Sequence, residues 1–167
     1  MAWSQVFSLV GSVVAGALLE SNKTTLALIA GTFVILPGVF DLAGGLGAVL
    51  SAKINHLLEN TDRSMSRVFF SSVSYAFMIS ALGGLLVASL GAGIAVTLFD
   101  ASFWQVFWLA ELAILMSAFI GFPLIGILSL LFIKRRVNPD DVVGPIESSI
   151  FDILTVITLT IAVGWLL

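Results

Sequence analysis

Four carboxylates fall inside apolar stretches long enough to cross a bilayer: Asp41, Glu111, Glu147 and Asp152. No Lys, Arg or His lies within the same stretches. Crossing the hydrocarbon core takes about 20 apolar residues in a helix. Apolar runs fall at residues 3–19, 25–52, 68–99, 103–133 and 144–167. With 59% of the 167 residues hydrophobic and only 10% charged, the chain has too little polar surface for a soluble domain. The expected fold is an all-α membrane protein, a single domain over 1–167 with five transmembrane helices.

Loop charge sets the expected orientation. With the N-terminus cytoplasmic, the segments 53–67 and 134–141 are cytoplasmic too, and the C-terminus lies outside. Those segments hold Lys53, Arg63, Arg67, Lys134, Arg135 and Arg136, which are six of the seven basic residues. Ala15-Gly16-Ala17 imitates a signal-peptidase site, but no basic residue precedes the run, so it reads as a retained first helix. A cell-membrane, multi-pass location follows, with lipid as the surroundings.

An ionised carboxylate costs several kcal/mol to bury without a partner, so such groups are protonated, solvated in a cavity or bound to a cation. Counting along the helices puts Asp41 and Asp152 near the midplane, Glu147 towards the cytoplasm and Glu111 towards the outside. Acids at several depths without bases suggest a cation path. The bland readings are a protonated Asp152, Asp41 as a cap, and interfacial hydration of Glu111 and Glu147.

Around Asp41 the second run reads Leu36-Pro37-Gly38, then Gly44, Gly45 and Gly47. Proline removes a backbone donor and glycines ease unwinding, so this helix is expected either to break at depth or to offer a small-residue packing face at Gly44, Ala48 and Ala52. Before the last run, Asn138 as N-cap, Pro139 and the acids Asp140 and Asp141 form a helix start. Capture of cations at the mouth is the sharper reading of that acid pair. Ser148, Ser149 and Thr155 share a face with Asp152 and could order water beside it. Ser80, Gly84, Ala88 and Ala92 form a packing seam, internal or between subunits. Trp104 and Trp108 read as interfacial anchors.

From Asn138-Pro-Asp-Asp through Pro145 and Ser148-Ser149 to Asp152 and Thr155, the chain resembles the last-helix signature of the MgtE-type divalent-cation transporters. Leu36-Pro37-Gly38 through Gly44 to Lys53 resembles that family's second-helix motif. The resemblance implies transport of Mg2+, or of Mn2+ or Co2+, through a pore between two five-helix units. The partner would be a second copy or a paired sister half-transporter. On the resemblance Asp152 would be the pore aspartate and the stretch at Gly44 and Gly45 would supply pore-lining backbone; the residues' own chemistry adds Asp41, Glu147, Ser148 and Ser149 beside the ion. Glu111, Thr155, Asp140 and Asp141 would be accessory. Where the family usually carries asparagine and another polar residue after the first glycine, this chain has Gly45 and Gly47.

Other classes have less support. A proton- or sodium-coupled carrier would use Asp41 and Asp152 as a relay. A non-transporting assembly subunit would use the Ser80–Ala92 seam as its partner face. An enzyme is not expected, because the lone His56 has no nucleophile partner and no HExxH motif appears. The absence of cysteine removes thiolate metal sites, and no basic patch suits nucleic acid.

Overall fold

The computed structural model describes the backbone at residues 2–60, 64–135 and 139–167, and the side chains at 5–60, 64–135 and 143–167. Among the described residues there are five helices: α1 (Ala2–Leu26), α2 (Thr32–Asn60), α3 (Met65–Phe99), α4 (Phe103–Lys134) and α5 (Pro139–Leu166). Four helices among the described residues are long and apolar enough to span a membrane: α2, α3, α4 and the Val143–Leu166 part of α5. α1 is long enough, but its last two turns carry Glu20, Ser21, Asn22, Lys23, Thr24 and Thr25.

Those polar residues were expected to end the first helix, yet α1 continues through them to Leu26. Glu20 and Lys23 form an ion pair one turn apart. The Asn22 amide and the Ser21 hydroxyl donate back to the Leu18 carbonyl at 2.8 and 2.9 Å, which keeps these side chains satisfied along the helix. The chain turns after Leu26 instead. Gly31 has φ +84°, and a Cβ there would overlap Ala95, so both its conformation and its closeness to α3 require glycine.

Of the two expectations for α2, a break at depth or a continuous small-residue face, the helix runs unbroken through Pro37 and the glycine cluster. Pro37 follows only five residues after the helix start, and the backbone beyond it is held by packing of Val39, Ala43 and Leu50, all buried. At the other end α2 continues to Asn60, through most of the polar stretch expected to be loop. Ile54 is fully buried, Leu57 and Leu58 pack on the same core, and Asn60 caps its own turn by donating to the His56 carbonyl at 3.0 Å.

Asp100 closes α3 in a left-handed conformation (φ 51°, ψ 31°), with its N–H directed to the Ala95 carbonyl, and α4 begins at Phe103. Around this turn Phe103, Trp104, Phe107 and Trp108 form an aromatic cluster, with Trp104 and Trp108 exposed. This suits the amphipathic indoles expected at a membrane interface.

Helices α2, α3, α4 and α5 form a four-sided bundle in which each packs on its neighbours, and α1 lies outside it against α5. Close helix approach comes from small residues. Ser80, Gly84, Ala88 and Ala92 are all buried, so the seam on α3 is internal to the chain. That removes the partner face on which an assembly-subunit reading depended. α1 runs in the same direction as α5, because Ser149 donates a 3.0 Å hydrogen bond to the Ser8 carbonyl while Ser12 meets Asp152 further along. The two ends of the chain therefore lie at opposite ends of the bundle.

Candidate functional site

Helix α5 has two faces with opposite duties. Glu147, Phe151, Thr155 and Thr158 point inwards and are all buried. Phe151 is the wedge that sets the helix: a Cβ on Gly47 would lie 2.7 Å from its ring, and one on Gly121 would overlap the ring edge. Its ring also packs on Phe122 with centroids 5.4 Å apart. Thr158 donates to the Ala113 carbonyl at 3.2 Å, fixing α5 on α4 higher up.

The helical period then turns Ser148 and Asp152 away from the core. They line a groove of about 380 Å3 together with Pro37, Phe40, Asp41, Gly44 and Gly45 of α2. Asp41 and Gly45 are exposed, while Gly44, Ser148 and Asp152 are half-buried. The absence of side chains at Gly44 and Gly45 keeps α2 low beside α5. A Cβ on Gly44 would meet only the Ser148 backbone, at 4.0 Å, and one on Gly45 would meet nothing. Two acids from different helices thus share one open, backbone-lined trough.

On its other side Asp152 borders a second hollow of about 250 Å3, lined by Ser12, Ala15, Gly16 and Leu19 of α1 with Phe40. Ser12 makes a side-chain hydrogen bond to the Asp152 carboxylate. The carboxylate therefore stands between α1 and α2, held from one side and open on the other. Sequence reasoning missed Ser12. A serine on the first helix carries no signal of its own, and its partner is 140 residues away in the chain.

The remaining expected residues are placed elsewhere. Glu147 is only 2% exposed and lies behind the groove wall, near Gly47. Ser149 spends its hydroxyl on the Ser8 carbonyl of α1. Thr155 is buried, and its hydroxyl has no hydrogen-bond partner among the described residues. Glu111 faces α3 rather than the trough: it is 4% exposed, and a Cβ on Gly84 would lie 2.5 Å from its Oε2. The Asp140 and Asp141 side chains and all of Asn138 lie outside the described residues. Among the described residues no three acidic or histidine side chains converge as a metal cage. What the trough offers instead is two carboxylates, a hydroxyl and open backbone.

Lys53 lies further along α2. Its Nζ sits over the Tyr75 ring of α3, 3.2 Å from the centroid, a cation–π contact that holds it on the α3 side of the helix.

Comparison with known proteins gives one assignment. The family model described as MgtE, divalent cation transporter, matches residues 36–162, about three quarters of the chain. The match begins one residue before Pro37 and includes Asp41, Asp152 and the helices between them, while α1 falls outside it. No curated protein and no solved structure matches the chain.

Proposed function

The chain belongs to the MgtE family of divalent cation transporters, and from that membership we propose that it carries Mg2+, or a related divalent ion, through a pore completed by a second copy. The observation that carries this reading is the shared trough of Asp152 and Asp41. A single chain leaves one side of the trough open, and its mouth is bordered by small residues of α2: Gly45, Ala48 and Ala52 are exposed there. Such a strip suits close approach of another helix. Two copies facing each other across it would put two Asp152 side chains at a common axis.

The donor set fits a hydrated ion. Mg2+ gives up its octahedral waters reluctantly and binds through one or two carboxylates, keeping several waters. A dedicated cage of three or more protein acids is therefore not required. Carboxylates favour cations and repel anions, while the Ser148 hydroxyl oxygen and the helical carbonyls near Gly44 can accept hydrogen bonds from the ion's waters. All five helices cross the membrane in this reading. The N-terminus lies on the cytoplasmic side with the basic helix ends, and the protein resides in the cell membrane.

Purified protein in liposomes tests the reading directly. Mg2+, Mn2+ or Co2+ influx above empty-vesicle background is expected, with loss of that flux in Asp152→Asn. No flux of any divalent ion from well-assembled protein would overturn it.

A further inference from the structure

Across the bundle from the trough, the outer edge of α3 and α4 is open in a different way. The two helices are drawn together at two glycines: Gly84, which a Cβ would bring onto Glu111, and Gly126, where a Cβ would lie 2.7 Å from Phe69. Between these pinch points a cleft of about 740 Å3 opens, lined by Val73, Ser74, Phe77, Met78, Ala81, Ala118, Phe119 and Pro123. Small side chains at Ala81 and Ala118 leave the space. Pro123 has no N–H to give the Phe119 carbonyl, which loosens the helical ladder on the cleft side of α4. Phe119 itself projects outwards and is 74% exposed.

The chemistry of this cleft differs along its length. Its lining is almost wholly apolar, but the ends of the same two helices carry Arg67 on α3 and Lys134 and Arg135 on α4, all exposed. No acidic residue occurs in α3, nor in α4 after Glu111. From Arg67 to Ser74 and Ala81 a helix rises about 10 and 21 Å. One leaflet of hydrocarbon is about 15 Å deep. The cleft therefore begins within a leaflet whose headgroup level is marked by the basic helix ends, and it reaches the midplane.

We propose that the α3–α4 cleft is a binding site for an anionic phospholipid, one acyl chain lying between Phe77 and Phe119 and the headgroup phosphate paired with Arg67, Lys134 and Arg135. The apolar floor accounts for the chain, and the three exposed basic residues at the helix ends account for the charge on the headgroup. Because α3–α4 is the edge opposite α2–α5, this site faces bilayer even when a second copy covers the trough. The inference rests on the membrane-spanning reading, but not on ion transport.

Native mass spectrometry of the detergent-purified full chain, titrated with phosphatidylglycerol and phosphatidylcholine, tests it. The unaltered protein should retain phosphatidylglycerol in preference to phosphatidylcholine. Ala81→Phe fills the cleft, and Ser74→Phe does so from a position already exposed; both should lose the retained lipid while eluting and melting as before. Neutralising Arg67, Lys134 and Arg135 to Gln should lower the preference by about fivefold for each residue, without abolishing lipid adducts. Equal retention of the two lipids, wild-type retention in a well-folded Ser74→Phe protein, or an unchanged preference in the neutralised variant would overturn the proposal. None of these readouts depends on ion flux, so failure here is distinct from failure of the transport reading.

Discussion

Phe151 and Asp152, adjacent on α5 and about 100° apart around it, have different surroundings: the ring is wedged between Gly47 and Gly121, and the carboxylate next to it faces the open trough. The rotational setting of Asp152 is thus fixed by an apolar side chain that never meets the ion. Packing complementarity on one face of the helix becomes placement of charge on the other.

Substituting Gly121 by Val should therefore act at a distance on the acid. Overpacking of this kind costs about 1–3 kcal/mol, visible as a lower melting temperature in detergent. Phe151→Leu in the same chain should recover part of that loss. A Gly121→Val protein that melts as the parent does would show that the wedge does not set the helix.

Removal of charge from the trough should separate its two acids. Asp152→Asn is expected to bring divalent flux to background. Asp41→Asn, on the exposed rim, should lower flux by about tenfold, equivalent to ~1.4 kcal/mol. Initial rates of Mg2+ entry into proteoliposomes measure both, and equal rates in Asp41→Asn and parent would remove Asp41 from the ion's path.

Ser12 lies outside the family-model match yet holds the Asp152 carboxylate. Ser12→Ala should raise the Mg2+ concentration for half-maximal flux several-fold, in line with loss of about 1.5–3 kcal/mol from a hydrogen bond to a charged group offset by water. Ser12→Thr keeps the hydroxyl and should retain the parent value. A shift of the same size in both variants would indicate crowding of α1 rather than a lost bond.

At Gly84 the expectation is steric. Gly84→Ala pushes a methyl group against the Glu111 carboxyl and should destabilise by about 1–3 kcal/mol. Combining it with Glu111→Ala should restore melting towards that of the Glu111→Ala protein alone. Glu111→Gln preserves the shape and should leave divalent flux unchanged, since Glu111 does not line the trough.

Much was legible in the sequence because it depends on properties of single segments. A run of apolar residues reaches across a bilayer whatever its neighbours are, which is why α2, α3, α4 and α5 could be placed in advance. Pro145 and the aspartate seven residues later marked α5 and its acid. Helix ends were less legible: the polar residues 20–23 and 53–60 looked like loops, but local back-bonding, burial of Ile54 and packing of the half-buried Leu57 carry the helices through them. Between a break at Pro37 and a continuous helix the sequence did not decide; long-range packing holds a backbone that local propensity would release.

Depth along a helix is set by counting residues, so the sequence alone determined that Asp41 and Asp152 lie at similar levels. Direction is not set that way. Whether a carboxylate faces lipid, a glycine, a neighbouring hydroxyl or an open trough depends on how each helix is rotated against the others. That rotation is decided by contacts such as Phe151 with Gly47 and Gly121. Only the tertiary structure therefore separated Asp152 and Asp41, which line the same trough, from Glu147 behind its wall and Glu111 pressed on Gly84. Only it brought Ser12 of α1 to the acid on α5. The physical reason is that close packing is a pairwise property of surfaces, and no single segment carries it.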